Sequence, residues 1–155
     1  MEFVDREAVL DIYRQGIEER TATFETTVPE WADWFAKTLP ACRLVAEQEG
    51  NLAGWAVAFP VSPRHCYRGV AEISIYVSRN FRGKRVATRL LDALIEASEA
   101  AGIWSLLSVV FPENTPTLRL HARSGFREIG RREKIAQLDG CWRDTVMLER
   151  RSKKI

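Results

Sequence analysis

The segment Ala71–Ala101, AEISIYVSRNFRGKRVATRLLDALIEASEAA, restricts what this chain can fold into more than any other. Glu72 to Val77 are mostly β-branched or aromatic with one carboxylate among them, a strand pattern. Helical spacing then takes over, with Val86, Leu90, Leu94 and Ala97 or Ala101 on one face, and Arg85, Arg89, Glu96 and Glu99 off it. A strand, a turn containing Gly83 and a long amphipathic helix are therefore expected in that order. A turn that opens a helix leaves backbone N–H groups without partners, and the helix dipole adds to their pull on anions. Arg79, Arg82, Lys84, Arg85 and Arg89 crowd positive charge into the same place. Two readings stand: a solvated basic helix start, or a site for a polyphosphate ligand. The second is the expectation.

Other function classes are less compatible with the composition. A formal charge of +2, with basic residues dispersed apart from that one turn, gives no footprint for nucleic acid. The five Trp and seven Phe do not alternate with basic residues as a base-stacking surface would. No apolar run approaches the ~18 residues of a membrane span, and no signal-peptide pattern is present, so no membrane partner and a cytoplasmic location are expected. Cys42, Cys66 and Cys141 lack CxxC spacing, and His65 and His121 are the only histidines, so no metal site is expected.

Taken in order, the chain begins with a helix from an Asp5 cap to about Glu18, its apolar face Val9, Ile12, Tyr13 and Ile17. The Thr-rich stretch Arg20–Pro29 is a loop. Its Phe24 and Glu25 either bind something small or simply wrap over the core. Glu30–Thr38 is a helix whose Trp31, Trp34 and Phe35 suit the core. Arg43–Gln48 and Asn51–Pro60 form a hairpin around Glu49-Gly50. Val61–Gly69 is a loop holding Arg64, His65 and Arg68. The apolar run Ile103–Phe111 predicts a strand covered on both faces. A helix follows, capped by Thr115 with Pro116 at its first position and Gly125 past its end, and then strands Phe126–Leu138 and Cys141–Glu149 around Asp139-Gly140. The expected fold is α+β (mixed α/β): one domain over residues 1–155, a central twisted, mostly antiparallel sheet flanked by helices, with 150–155 a frayed tail.

These residues resemble the GNAT superfamily of acetyl-CoA-dependent N-acetyltransferases. The family's cofactor motif, Arg/Gln-x-x-Gly-x-Gly/Ala between a strand and a helix, aligns with Arg82-Gly83-Lys84-Arg85-Val86-Ala87. A second pattern, Asn-x-x-(Ser/Ala/Thr)-x-x-Leu-(Tyr/His)-x-x-x-Gly-Phe, is met by Asn114, Thr117, Leu120, His121, Gly125 and Phe126. Arg85 departs from the motif, which normally has glycine there; it is expected to take an ordinary helical conformation and to supply charge instead. Finer features are similar to the phosphinothricin, arsinothricin and methionine sulfoximine branch: Thr21–Thr26, Glu72–Val77, Leu120-His121, and Asp139-Gly140 with Trp142-Arg143-Asp144.

The resemblance implies a GNAT-like fold, acetyl-CoA as co-substrate, a small amino-acid-like acceptor and a homodimer. It places the cofactor on Ile75, Tyr76 and Val77, on the turn Arg82, Gly83, Lys84, Arg85, Val86, Ala87 and Thr88, and on Asn114. Glu72 is the candidate base; it shares a strand face with Ser74 and Tyr76, and its alternative is an ion pair with an arginine such as Arg68. His121 stands where many relatives carry a tyrosine acid, and is otherwise a packed residue. Phe24, Glu25, Arg68 and Ser74 are the substrate candidates, Arg68 as carboxylate clamp. Acetylation of another amine or of protein N-termini and a silent acyl-CoA-binding module remain as alternatives.

Overall fold

The computed structural model describes residues 1–155. α1 (Arg6–Glu18) buries Val9, Ile12, Tyr13, Gly16 and Ile17, the stripe its spacing predicts. Asp5 does not cap it through its side chain: a 3-10 turn, Phe3–Asp5, comes first, and the Asp5 carboxylate accepts the Glu2 amide at 2.6 Å. α2 (Trp31–Ala36) is shorter than its apolar pattern, with the Glu30 carboxylate accepting the Ala32 amide at its start.

β1 (Leu44–Gln48) and β2 (Asn51–Pro60) form a hairpin through Glu49 and Gly50, both at positive φ. β3 (Val70–Val77) leads into α3 (Val86–Ala100), then β4 (Ser105–Val110) and α4 (Thr115–Arg123). The cap of α4 is Asn114 rather than Thr115, because the Asn114 carboxamide oxygen reaches the Thr117 amide at 3.3 Å. β5 (Arg127–Leu138) and β6 (Cys141–Arg151) close the chain around Asp139-Gly140.

The six strands form one sheet in the order β1-β2-β3-β4-β6-β5. All neighbours are antiparallel except β3 and β4. Alternation along the strands divides the core between the two faces. α3 lies on one, its Val86, Leu90, Leu91 and Leu94 packed with Ile73, Leu106, Val146 and Leu148. α1 and α2 cover the other over β2 and β3, where Tyr13, Trp34, Trp55 and Val57 meet. Trp55 is fully buried, and its indole N–H donates to the Val9 carbonyl at 3.1 Å, tying α1 to β2.

Three expectations need correction. β4 is not covered on both faces: Leu106, Ser108 and Val110 are buried, but Leu107 and Val109 are only half-buried, because α1 and α2 stop short of them. The tail does not fray at Arg150. β6 continues to Arg151, Ser152 is buried, and Arg150, Ser152 and Lys154 all converge on the Glu99 carboxylate of α3. Arg85, finally, is not helical: it sits at φ 60°, ψ 18°, the left-handed conformation that glycine adopts freely.

Candidate active site

β3 and β4 pair over only three positions, Val70–Ser105, Ala71–Leu106 and Glu72–Leu107. Beyond Glu72, β3 stays with β2 as far as Val77, while β4 stays with β6 as far as Val110. The two halves of the sheet part there, and the edges that face each other across the gap have no strand partner. The gap opens into a cleft of about 740 Å³, walled by Ile73–Val77 on one side and Ser108–Val110 on the other.

α1 approaches the cleft through Gly16, which is unusual in a helix interior. A Cβ at that position would lie 2.4 Å from Cε1 of Tyr76, so the glycine lets the tyrosine ring pass against the helix. The loop after α1 crosses the mouth. Arg20 pairs with Asp139 at 3.1 Å, the Thr21 carbonyl accepts the Asn114 side-chain amide at 3.2 Å, and Phe24 stands edge-on to Phe111.

At the other end lies the turn into α3. Gly83 (φ 75°) and Arg85 (φ 60°) are both at positive φ, and a Cβ on Gly83 would meet nothing within 4 Å. The first-turn amides of Val86, Ala87 and Thr88 find no acceptor in the chain. The crowd of positive charge is sorted: Arg79 pairs with Glu18 and Glu19, Arg82 with Glu19, and Lys84 with Glu49 at 3.8 Å. Burial pushes the Glu19 carboxyl up, but the hydrogen bonds from Arg82 and Arg79 outweigh it and hold the group below its ordinary value. Arg85 has no such partner.

Glu72 sits at the root of the cleft, in the last paired register. Its side chain is exposed, yet the sheet withdraws enough water from its carboxyl to raise its pKa; the charge of Arg132 pulls the other way. His121 is buried in the cleft wall, edge-on to Phe126. Its Nδ1 lies 2.8 Å from the Thr117 carbonyl, which can only accept, so Nδ1 carries the proton. Nε2 is buried without a partner. Burial lowers the ring's pKa, and the Thr117 contact restores only part of it, so the neutral form prevails at neutral pH.

The cleft brings together Ser74, Ile75, Tyr76, Val77, Arg82, Gly83, Arg85, Val86, Ala87, Asn114 and His121 from the expected set. Glu72 adjoins it through β3. Lys84 lies over the Phe81 ring, and Thr88 lines a neighbouring groove. Phe24 packs at the mouth, and Glu25 lies in the same loop, its amide accepted by Thr23. Arg68 stands apart, its guanidinium over Trp104 and weakly on the His65 carbonyl at 3.4 Å. Gly16, Glu19 and Ser108 are lining residues that sequence patterns missed. Only Gly16 left a signal, as a glycine inside an otherwise apolar helical stripe.

The site fits acetyl-CoA: free amides and a cation for a pyrophosphate, then a narrow slot with unpaired strand edges for the amide-bearing pantetheine arm. No group of three His, Cys, Asp or Glu side chains is placed to hold a metal, and no helix is long and apolar enough to cross a membrane.

Residues 7–126 match the acetyltransferase (GNAT) family. The chain is 36% identical over 153 residues to the phosphinothricin N-acetyltransferase of Alcaligenes faecalis, covering 94% of this chain and 77% of that one. The structure of a phosphinothricin acetyltransferase from Sinorhizobium meliloti in complex with acetyl-CoA superposes with a TM-score of 0.88 at 29% identity, covering 97% and 85% of the two chains. A ribosomal-protein-alanine N-acetyltransferase from Brucella melitensis superposes with a TM-score of 0.90 at 28% identity, covering 98% and 97%. The chain belongs to the GNAT acetyltransferase family and is an acetyl-CoA-dependent N-acetyltransferase.

Proposed function

We propose that the acceptor is the α-amine of a small glutamate-like amino acid of the phosphinothricin, arsinothricin or methionine sulfoximine type. What supports the acceptor class is the similarity to the phosphinothricin N-acetyltransferase; what supports the chemistry is Glu72, a carboxylate with a raised pKa at the point where the sheet splits. The cofactor supplies an activated acetyl thioester. Glu72 takes a proton from the acceptor ammonium through water, freeing the nitrogen lone pair. The nitrogen bonds to the acetyl carbon, the carbon–sulfur bond breaks, and the sulfur leaves with that electron pair. Amides of the Ile75–Val77 edge are available to the acetyl oxygen as negative charge develops there.

His121 enters this reading as a neutral ring rather than as the acid. A donor at Nε2 would need a pKa nearer neutrality than a buried ring with its Nδ1 proton committed to Thr117. The departing thiolate instead receives the second proton of the newly bonded nitrogen through water.

For the acceptor's carboxylate, Arg132 is the stronger candidate. It lies on β5 opposite Thr145, on the same sheet face as Glu72, with no carboxylate, hydrogen bond or ring partner of its own. Neighbouring Arg127, Arg131 and Arg143 are each paired, with Glu149, Asp144 and Glu113. Arg68 is held against Trp104.

The Brucella melitensis neighbour favours a second reading, acetylation of an N-terminal alanine. The tethered loop over the mouth argues against it, because an extended chain needs an open groove. The test is thiol release from acetyl-CoA with the three amino acids and an alanine-led peptide offered in parallel. Turnover of an amino acid, reduced at least ~100-fold in Glu72→Gln, is the expected result. A rise of ~10-fold or more in amine KM in Arg132→Ala, against little change in Arg68→Ala, is expected alongside. Turnover of the peptide alone would replace the small-acceptor reading.

A further inference from the structure

Most arginines in this chain are engaged by a carboxylate, a backbone carbonyl, a side-chain amide or an aromatic ring. Four are not: Arg85, Arg119, Arg123 and Arg132. Three of these four, Arg85, Arg119 and Arg123, line one groove of about 620 Å³ between α3 and α4. Arg119 and Arg123 are one turn apart on α4 and so project from the same face of it. Arg85 closes the groove at the start of α3. A single carboxylate, Asp92, shares the space, and it pairs with none of the three. Three unpaired guanidiniums around one groove repel one another, and one carboxylate does not offset them.

The groove continues the cleft. Arg85, Pro116 and Leu120 line both. The cofactor that fills the cleft ends, beyond its pyrophosphate, in an adenosine bearing a 3′-phosphate. A chain of anionic groups leaving the α3 turn past Arg85 meets Arg119 and Arg123 next. Guanidinium suits a phosphate monoester better than ammonium does, since its fork donates two parallel hydrogen bonds.

We propose that Arg119 and Arg123, with Arg85 at the junction, form the subsite that holds the 3′-phosphate of acetyl-CoA. This makes the enzyme selective for the phosphorylated cofactor over the dephosphorylated one. The inference rests on acetyl-CoA as cofactor and not on which amine is acetylated.

The test is direct binding, by calorimetric titration without any acceptor, of CoA and of 3′-dephospho-CoA to the wild-type protein and to an Arg119→Ala/Arg123→Ala variant. Both positions are exposed on a helix, where alanine is well tolerated, and circular dichroism checks the fold. The wild type is expected to bind CoA at least ~10-fold more tightly than dephospho-CoA. The variant should lose most of that preference, through weaker binding of CoA and unchanged binding of dephospho-CoA. Equal affinities in the wild type, a preference that survives in the variant, or equal weakening of both ligands would each overturn the subsite. Because no amine takes part, failure here is separate from failure of the acceptor assignment.

Discussion

Arg85 shows how far a local rule carries. A non-glycine residue in the glycine place of a turn is expected to relax into the helix, because the left-handed region costs roughly 1–2 kcal/mol. The structure keeps the left-handed conformation and lets the arginine bear that strain. Position 85 is bounded on both sides by tertiary contacts: Phe81 packs into the core, and Val86 is buried under the sheet. The basic turn was therefore legible in sequence, and the backbone angle inside it was not. Replacing Arg85 with glycine releases the strain but adds chain entropy to the unfolded state, leaving a net gain of about 0.5–1 kcal/mol. For a domain of this size that is a rise in Tm of roughly 1–4 °C. The same change removes a cation from the cofactor groove, so CoA affinity should fall several-fold. Thermal melts and CoA titration of Arg85→Gly check both signs, and a lowered Tm would contradict the strain argument.

At the scale of elements, the approach of α1 to β3 determines the shape of the cleft. Helical periodicity located the apolar face of α1, yet it gave Gly16 no role, since the partner that explains it is a ring sixty residues away in sequence. Tyr76 has little room to retreat: it stacks on Trp55 at 4.7 Å and meets Tyr13 edge-on at 4.9 Å. Glycine to alanine inside a helix ordinarily stabilises by about 1 kcal/mol. Here the new methyl must displace the ring, and overpacking of this kind costs about 1–3 kcal/mol. Gly16→Ala should therefore be destabilising or neutral. It should also lower kcat, because Tyr76 lies on the strand edge facing the cleft. An increase in Tm would show that the ring moves freely and that the contact does not set the cleft. The open face of β4 was hidden for a related reason: an apolar run records that a strand is mostly covered, not where the covering helices end.

For the molecule as a whole, the strands themselves were legible, from alternation, hairpin turns and the two Gly/Asp punctuation points. Their parting after Glu72 was not, because it depends on β3 and β4 each following a different neighbour, a nonlocal choice. The docking of the C-terminus was hidden in the same way. Arg150, Ser152 and Lys154 looked like a loose basic end until Glu99, some fifty residues earlier, supplied their common partner. Hydrogen bonding from Lys154, and then from Ser152 and Arg150, overrides the burial of that carboxyl and holds its pKa at about 2, against an ordinary 4.5. The folded state thus prefers the ionised form more strongly than the unfolded chain does. Stability from this cluster is fully present above about pH 4.5 and is lost as pH falls toward about 2. Glu99→Gln removes the charge at every pH, so the variant should melt below the wild type at pH 7. The gap should narrow below pH 4.5 and nearly close by pH 2. Melting curves of both proteins across that range check it. A gap that stays constant with pH would mean that the cluster contributes packing and hydrogen bonds but no charge-dependent stability, so that ionisation of Glu99 does not fasten the C-terminal segment to α3.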